Sequence, residues 1–182
     1  MSYLKNNYGG KKAFLKYITY RVIYYILDNY NYKYLANKKI DRVVFVCKGN
    51  ICRSPLAEYV FKSESKIETT SFGLDTTSYK PAHSTIVSIA SKLGYNLQDH
   101  QTTAQREFIQ KPNDLFVCME PKQADAIKKI YKTENIFLLG SFCQPQRHYL
   151  HDPYSTNEDY SKLCCELIIE STKKLAAKLN TK

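Results

Sequence analysis

Cys47 and Arg53 are separated by five residues in the stretch VVFVCKGNICRSP (43–55). That spacing puts a sulfur nucleophile and a fixed cation at the two ends of one short loop. Arginine presents a planar fork of donors that matches two oxygens of a phosphate. The loop between them, Lys48-Gly49-Asn50-Ile51-Cys52, contains the two residue types that most readily take positive φ. A loop so built can curl its backbone N–H groups inward. Ser54 can cap the helix that follows, with Pro55 at its first position. The helix N-terminus adds further N–H groups and a partial positive charge. The expected product is an anion nest of tetrahedral-oxyanion size, with Cys47 at its base. Cations and a helix N-terminus favour the thiolate over the thiol, and the thiolate is the nucleophile. Held against a bound phosphoester, it can form a thiophosphoryl intermediate while the loop amides and Arg53 take the charge of the non-transferring oxygens.

Such a displacement needs an acid for the leaving oxygen. HDPYSTNEDY (151–160) offers Asp152, fixed in extended backbone by the proline after it. Beside a thiolate and a phosphate dianion its carboxyl can stay protonated and donate, then take a proton from water in the second step. Tyr154 is placed to flank the cup and stack on an aryl group. On spacing alone, Asp-Pro is also an ordinary turn.

These residues need a scaffold that delivers them to one place. RVVFVC (42–47) is a β-branched apolar run, the mark of a buried parallel strand. Strands are also predicted at 67–73, 114–120 and 135–140. Helices are predicted at 54–64, 82–94, 121–132 and 157–179, the last with a stripe of Tyr160, Cys164, Leu167, Ser171, Leu175 and Leu179. This alternation predicts an α/β fold, a doubly wound four-stranded parallel sheet of the flavodoxin-like three-layer kind. Ligands then bind at the carboxyl ends of the strands, where Cys47 falls. The connection carrying Asp152 is long for a compact domain, and such connections tend to be functional.

Two regions are predicted: a basic, tyrosine-rich helical extension over 1–38 and a catalytic domain over 39–182. Residues 1–40 hold eight Lys/Arg against Asp28 alone, and nine of the sixteen tyrosines. The net charge of +10 therefore belongs mostly to this appendage, and it does not argue for nucleic acid. A helix is predicted over Lys12–Tyr30. Its apolar run, Val22–Leu27, is too short to span a bilayer, and no small-residue cleavage site follows it. Packing on the main domain or on a twin subunit is the plainer reading of its aromatic residues. Lying on an anionic membrane surface is the second. Six cysteines without CxxC or Cys/His spacing predict reduced thiols, a cytoplasmic setting and no metal site. No cofactor is expected, and oligomeric state is not specified.

The chain resembles the low-molecular-weight protein tyrosine phosphatases over roughly Asp41 to Leu179. The resemblance rests on VFVCKGNICRSPLAE, DLFVCME (114–120), FLLGS (137–141) and DPY (152–154), in that order. It implies a metal-free, two-step phosphomonoesterase acting on phosphotyrosine proteins, with Cys47 as nucleophile, Arg53 as phosphate-binding arginine and Asp152 as general acid. By the same resemblance Lys48, Gly49, Asn50, Ile51, Cys52, Ser54 and Tyr154 belong to the substrate site. Asn50 would hold the loop's shape, Ser54 would hydrogen-bond the thiolate, and His100 would brace the asparagine. Cys52 matches a second loop cysteine that can pair reversibly with the nucleophile on oxidation. Departures from the family pattern are Ser155 after Asp-Pro-Tyr, Glu120 where aspartate is usual, and Lys48 where many members carry an apolar residue. Two other readings share the motif: a thiol-dependent arsenate reductase, which needs further cysteines to relay a disulfide, and a phosphotyrosine-binding module without turnover.

Overall fold

The structure, a computed structural model, describes residues 2–27 and 38–181, with side chains as far as Tyr24 in the first segment. Two helices, α1 (Ser2–Tyr8) and α2 (Lys11–Leu27), precede the alternating part of the chain. The predicted helix at Lys12–Tyr30 is α2, and its last three residues lie outside the described ones. Then follow β1 (Arg42–Cys47), α3 (Arg53–Glu64), β2 (Glu68–Gly73), α4 (Ser84–Lys92), β3 (Asp114–Cys118), α5 (Pro121–Tyr131), β4 (Ile136–Leu138) and α6 (Glu158–Asn180).

The sheet is parallel throughout, with order β2-β1-β3-β4. Alternation along β1 divides the core into two layers. Val43, Phe45 and Cys47 join one cluster with Leu56, Val60 and Phe61 of α3 and Cys164, Ile168 and Leu175 of α6. Val44 and Val46 join the other with Ala124 and Ile127 of α5. All six residues of β1 are buried, because a strand with neighbours on both sides and helices on both faces has no solvent face. The chain leaves β1 for β2 on one side and returns to β3 on the other. The crevice of a doubly wound sheet opens where that reversal occurs, at the carboxyl end of β1. Cys47 is the last residue of that strand.

Several predicted boundaries shift. β3 ends at Cys118, so Met119 and Glu120 belong to the turn into α5. β4 stops at Leu138, and the chain turns at Leu139–Phe142 instead of continuing. Gly140 lies so tightly on the backbone of Arg147 that a Cβ there would overlap its carbonyl. On α6, Leu167 is only partly buried, whereas Ile168 faces the core.

α1 packs along α6, and Ala13 and Tyr17 of α2 are buried. The N-terminal helices thus lie on the main body of the protein. Among the described residues no helix is long and apolar enough to cross a membrane.

Candidate active site

The loop after β1 wraps around its own strand end. The backbone N–H of Asn50 donates to Cys47 Sγ at 3.2 Å, and the Ser54 hydroxyl lies 3.0 Å from the same sulfur. Asn50 has φ 53, in the left-handed region, whereas Gly49 does not. The curl therefore turns on the asparagine, not on both residues the sequence suggested. Gly49 keeps the cup's floor free of a side chain.

The outward ties of the loop decide where its amides point. The carbonyls of Cys47 and Lys48 accept from Leu74 N and Asp75 N at 3.0 and 2.9 Å. The carbonyl of Ile51 accepts from His83 N at 2.8 Å, and that of Asn50 from His100 Nε2 at 2.8 Å. In a trans peptide the N–H points away from the preceding carbonyl. Four carbonyls anchored outward therefore aim the amides of Lys48, Gly49, Ile51 and Cys52 inward, which is the nest the spacing predicted.

Asn50 is fully buried and uses its side chain completely. Its Nδ2 donates to Ser54 Oγ at 2.9 Å and Ser71 Oγ at 2.8 Å, and its Oδ1 accepts from Thr103 N at 2.8 Å. Ser71 in turn donates to Glu58 Oε2. Ser54 accepts from Asn50, and its single proton remains available to the Cys47 sulfur. His100 is held neutral by burial, which pushes its pKa down, and this leaves Nε2–H to donate to the Asn50 carbonyl. Ser54 is thus not the helix cap. Cys52 occupies that position without a side-chain cap bond, and Ser54 lies inside the first turn with its hydroxyl turned to the sulfur. Pro55 is the third residue of α3 rather than the first, a position at which a missing N–H still costs no helical hydrogen bond.

Arg53 is 1 % exposed. Its Nη2 donates to Asp152 Oδ2 at 2.6 Å and its Nη1 to the Leu150 carbonyl at 2.9 Å. Glu120 stands 3.6 Å from Nη1. Burial opposes the guanidinium charge, but Asp152, Cys47 and Glu120 together outweigh it, and its pKa is raised. The buried Nε–H of Arg53 has no acceptor in the protein. Asp152 caps the short turn Pro153–Ser155 by accepting from Tyr154 N at 3.3 Å.

A cavity of about 260 Å³ opens over the sulfur, lined by Cys47, Lys48, Gly49, Ile51, Cys52, Asp75, Asp152 and Tyr154. Ile51 and Tyr154 form apolar walls, and the Tyr154 ring meets the edge of His83 at 5.2 Å between centroids. Lys48 stands at the rim, 3.7 Å from Asp75. Asn50, Arg53 and Ser54 are not among the lining residues; they lie behind them. Among the described residues no group of His, Cys, Asp or Glu is arranged to hold a metal ion. All six cysteines are free and buried, and burial raises the thiol pKa of Cys52, Cys118, Cys143, Cys164 and Cys165.

Asp75, Gly73, Ser71, Glu58 and Glu120 were not singled out in the sequence for these positions. Gly73 had one readable signal, since a glycine ends a predicted strand, and the structure sets it level with Cys47. A Cβ there would stand 2.9 Å from the Lys48 carbonyl and 3.0 Å from Asn50 N, so the loop can lie against β2 only over a glycine.

The family model described as low molecular weight phosphotyrosine protein phosphatase matches residues 42–182. A probable low molecular weight protein-tyrosine-phosphatase, AmsI of Erwinia amylovora, is 32% identical over 125 residues, covering 66% of this chain and 84% of its own. The crystal structure of the Erwinia amylovora tyrosine phosphatase AmsI superposes with a TM-score of 0.66 at 26% identity, over 80% of this chain and 94% of that one. The YwlE arginine phosphatase from Geobacillus stearothermophilus superposes with a TM-score of 0.67 at 21% identity, over 77% and 93% of the two chains. That last likeness speaks for the fold alone.

Proposed function

This chain belongs to the low molecular weight phosphotyrosine protein phosphatase family and is a phosphatase, and we propose that it hydrolyses phosphotyrosine through a phosphocysteine on Cys47. In the first step the Cys47 sulfur attacks phosphorus, an S–P bond forms and the P–O bond to the tyrosyl oxygen breaks. Asp152 gives its proton to that oxygen, and the substrate protein leaves with its tyrosyl hydroxyl restored. In the second step water attacks phosphorus, the S–P bond breaks, and Asp152 takes the proton back as phosphate forms. Arg53 and the amides of residues 48–52 hold the three equatorial oxygens through both steps. Phosphate oxygens would draw Arg53 off Asp152, freeing the carboxyl to face the leaving group.

The observation that carries this reading is the loop itself: four carbonyls tied outward around one sulfur, with a buried Arg53 whose Nε–H lacks an acceptor. The walls favour an aryl ester. Ile51 and Tyr154 offer apolar faces to a phenyl ring, whereas the rim carboxylate that would suit a guanidinium, Asp75, is engaged by Lys48. The other cysteines are buried, which is unfavourable for the disulfide relay of an arsenate reductase. Steady-state assay of Cys47→Ser on a phosphotyrosine peptide tests the reading. Loss of turnover with retained peptide binding is expected, and wild-type turnover would overturn it. Wild-type protein that binds the peptide without releasing phosphate would mark a binding module instead.

For the extension, which packs on the main body, a second role is proposed: attachment of residues 1–38 to an anionic membrane surface on the cytoplasmic side. Leu15, Ile18, Val22 and Ile23 are exposed on the outer side of α2, among Lys11, Lys12, Lys16 and Arg21, with no acidic residue in 2–24. Cosedimentation with phosphatidylserine vesicles, lost in Leu15→Glu/Val22→Glu, is expected. Equal sedimentation of both proteins would remove the idea, as would binding only to a protein partner.

A further inference from the structure

Residues 147–152, which lead into the general acid, lie between two partners. On the inner side, Leu150 N donates to the Met119 carbonyl at 2.9 Å, and Arg53 holds the Leu150 carbonyl and Asp152. On the outer side, the contacts come from the N-terminal helices. The Arg147 guanidinium sits 5.0 Å from the Tyr8 ring centroid and 5.6 Å from that of Tyr17, and its Nη1 donates to the Asn7 carbonyl at 2.9 Å. His148 stacks on Tyr24 at 4.6 Å. Tyr149 meets the Tyr20 ring at 5.9 Å and carries Lys16 Nζ 5.3 Å from its centroid. Gly9 lies so close to His151 that a Cβ would stand 2.3 Å from its ring. Beyond the acid, Asn157 Nδ2 donates to Asn6 Oδ1 at 2.7 Å.

Building on the phosphatase reading, we propose that α1 and α2 position the general acid: they clamp residues 147–157 from outside, and Arg147 and Tyr149 are positioning residues that act through this clamp on Asp152. A long connection without strand or helix partners of its own is ordinarily the loosest part of a domain. Proton transfer to a leaving oxygen tolerates little misplacement. The extension supplies the outer wall that turns this connection into a fixed support. The tie reaches Asp152 through Tyr149, whose hydroxyl is 2.9 Å from His151 Nδ1, one residue before the acid. Burial pushes the Tyr149 pKa up to about 12 and that of His151 down, so a neutral phenol and a neutral imidazole share this hydrogen bond.

The test measures kcat/KM, which reports the step in which the aryl oxygen departs, for full-length protein on a series of aryl phosphates. Phenyl phosphate needs the acid; 2,4-dinitrophenyl phosphate does not. In Arg147→Ala, roughly a tenfold or larger loss on phenyl phosphate with less than about twofold loss on the dinitrophenyl ester is expected, approaching the pattern of Asp152→Ala. Tyr20→Ala/Tyr24→Ala, made on the extension side, should reproduce it should Arg147→Ala fold poorly. Adding Arg147→Ala to Asp152→Ala should bring no further selective loss. An equal loss on both esters, or none, in both the loop and the extension variants would overturn the proposal. A flat leaving-group dependence already in Asp152→Ala would instead remove the acid assignment on which the clamp rests.

Discussion

Arg53 Nη2 and Asp152 Oδ2 are 2.6 Å apart, although the two residues lie 99 positions apart in the chain. The residue proposed to bind the phosphoryl oxygens and the one proposed as acid are thus in contact with each other. On that proposal the carboxylate and the phosphoryl oxygens compete for the same fork.

Arg53→Lys keeps a positive charge but loses the planar fork, which at this site contacts Asp152 and the Leu150 carbonyl at once. We expect kcat/KM on p-nitrophenyl phosphate to fall by at least about 100-fold, with weaker inhibition by phosphate. Steady-state kinetics and phosphate competition check this; near-wild-type values for both would contradict the assignment.

Asn50→Ala removes the donor to Ser54 Oγ and Ser71 Oγ, takes the acceptor from Thr103 N and places alanine at φ 53. A stability loss of about 2–4 kcal/mol is expected in urea unfolding. Activity at temperatures where the variant is folded should also drop, because the amide on the Cys47 sulfur moves with Asn50. Full activity in a destabilised protein would separate the fold from the cup.

Gly73→Ala introduces a Cβ 2.8 Å from Thr76 Cγ2 and about as near to the loop backbone at Lys48. The loop and β2 cannot both stay in place. Isothermal titration with vanadate should show affinity reduced roughly tenfold or more, with stability lower by about 1–3 kcal/mol. Unchanged vanadate affinity would mean that the loop tolerates a wider spacing from β2.

His100, His148 and His151 all have pKa values lowered from 6.5, burial being the first cause in each. The folded state resists protonation that the unfolded state accepts, so the unfolded chain binds more protons below pH 6.5. Stability should therefore be full above that value and fall as pH drops through the window beneath it. His148→Phe keeps a ring against Tyr24 but cannot titrate. Its melting temperature should decline less steeply than wild type between about pH 7 and pH 5. Parallel declines in the two proteins would show that His148 contributes nothing to the slope.

What could be read from the chain alone was local. A run of six apolar-rich residues, a five-residue loop and a helix start lie within a dozen positions, and steric rules over that range dictate strand, turn and helix. The alternation of such units fixes a parallel doubly wound sheet, and hence the end at which Cys47 emerges. Asp152 was singled out only because the Cys47–Arg53 loop called for an acid; Asp-Pro by itself reads as an ordinary turn.

The rest needed residues brought together from far along the chain. Ser54 reads as a helix cap until Asn50 and Cys47 fold against its hydroxyl. Ser71, Gly73 and Glu58 look like ordinary strand and helix residues, and only the pairing of β1 with β2 sets them behind the loop. The N-terminal tyrosines gave composition but no address. Ring stacking is non-directional in sequence, and the partners of Tyr20 and Tyr24 lie more than a hundred residues away, on the segment that carries Asp152.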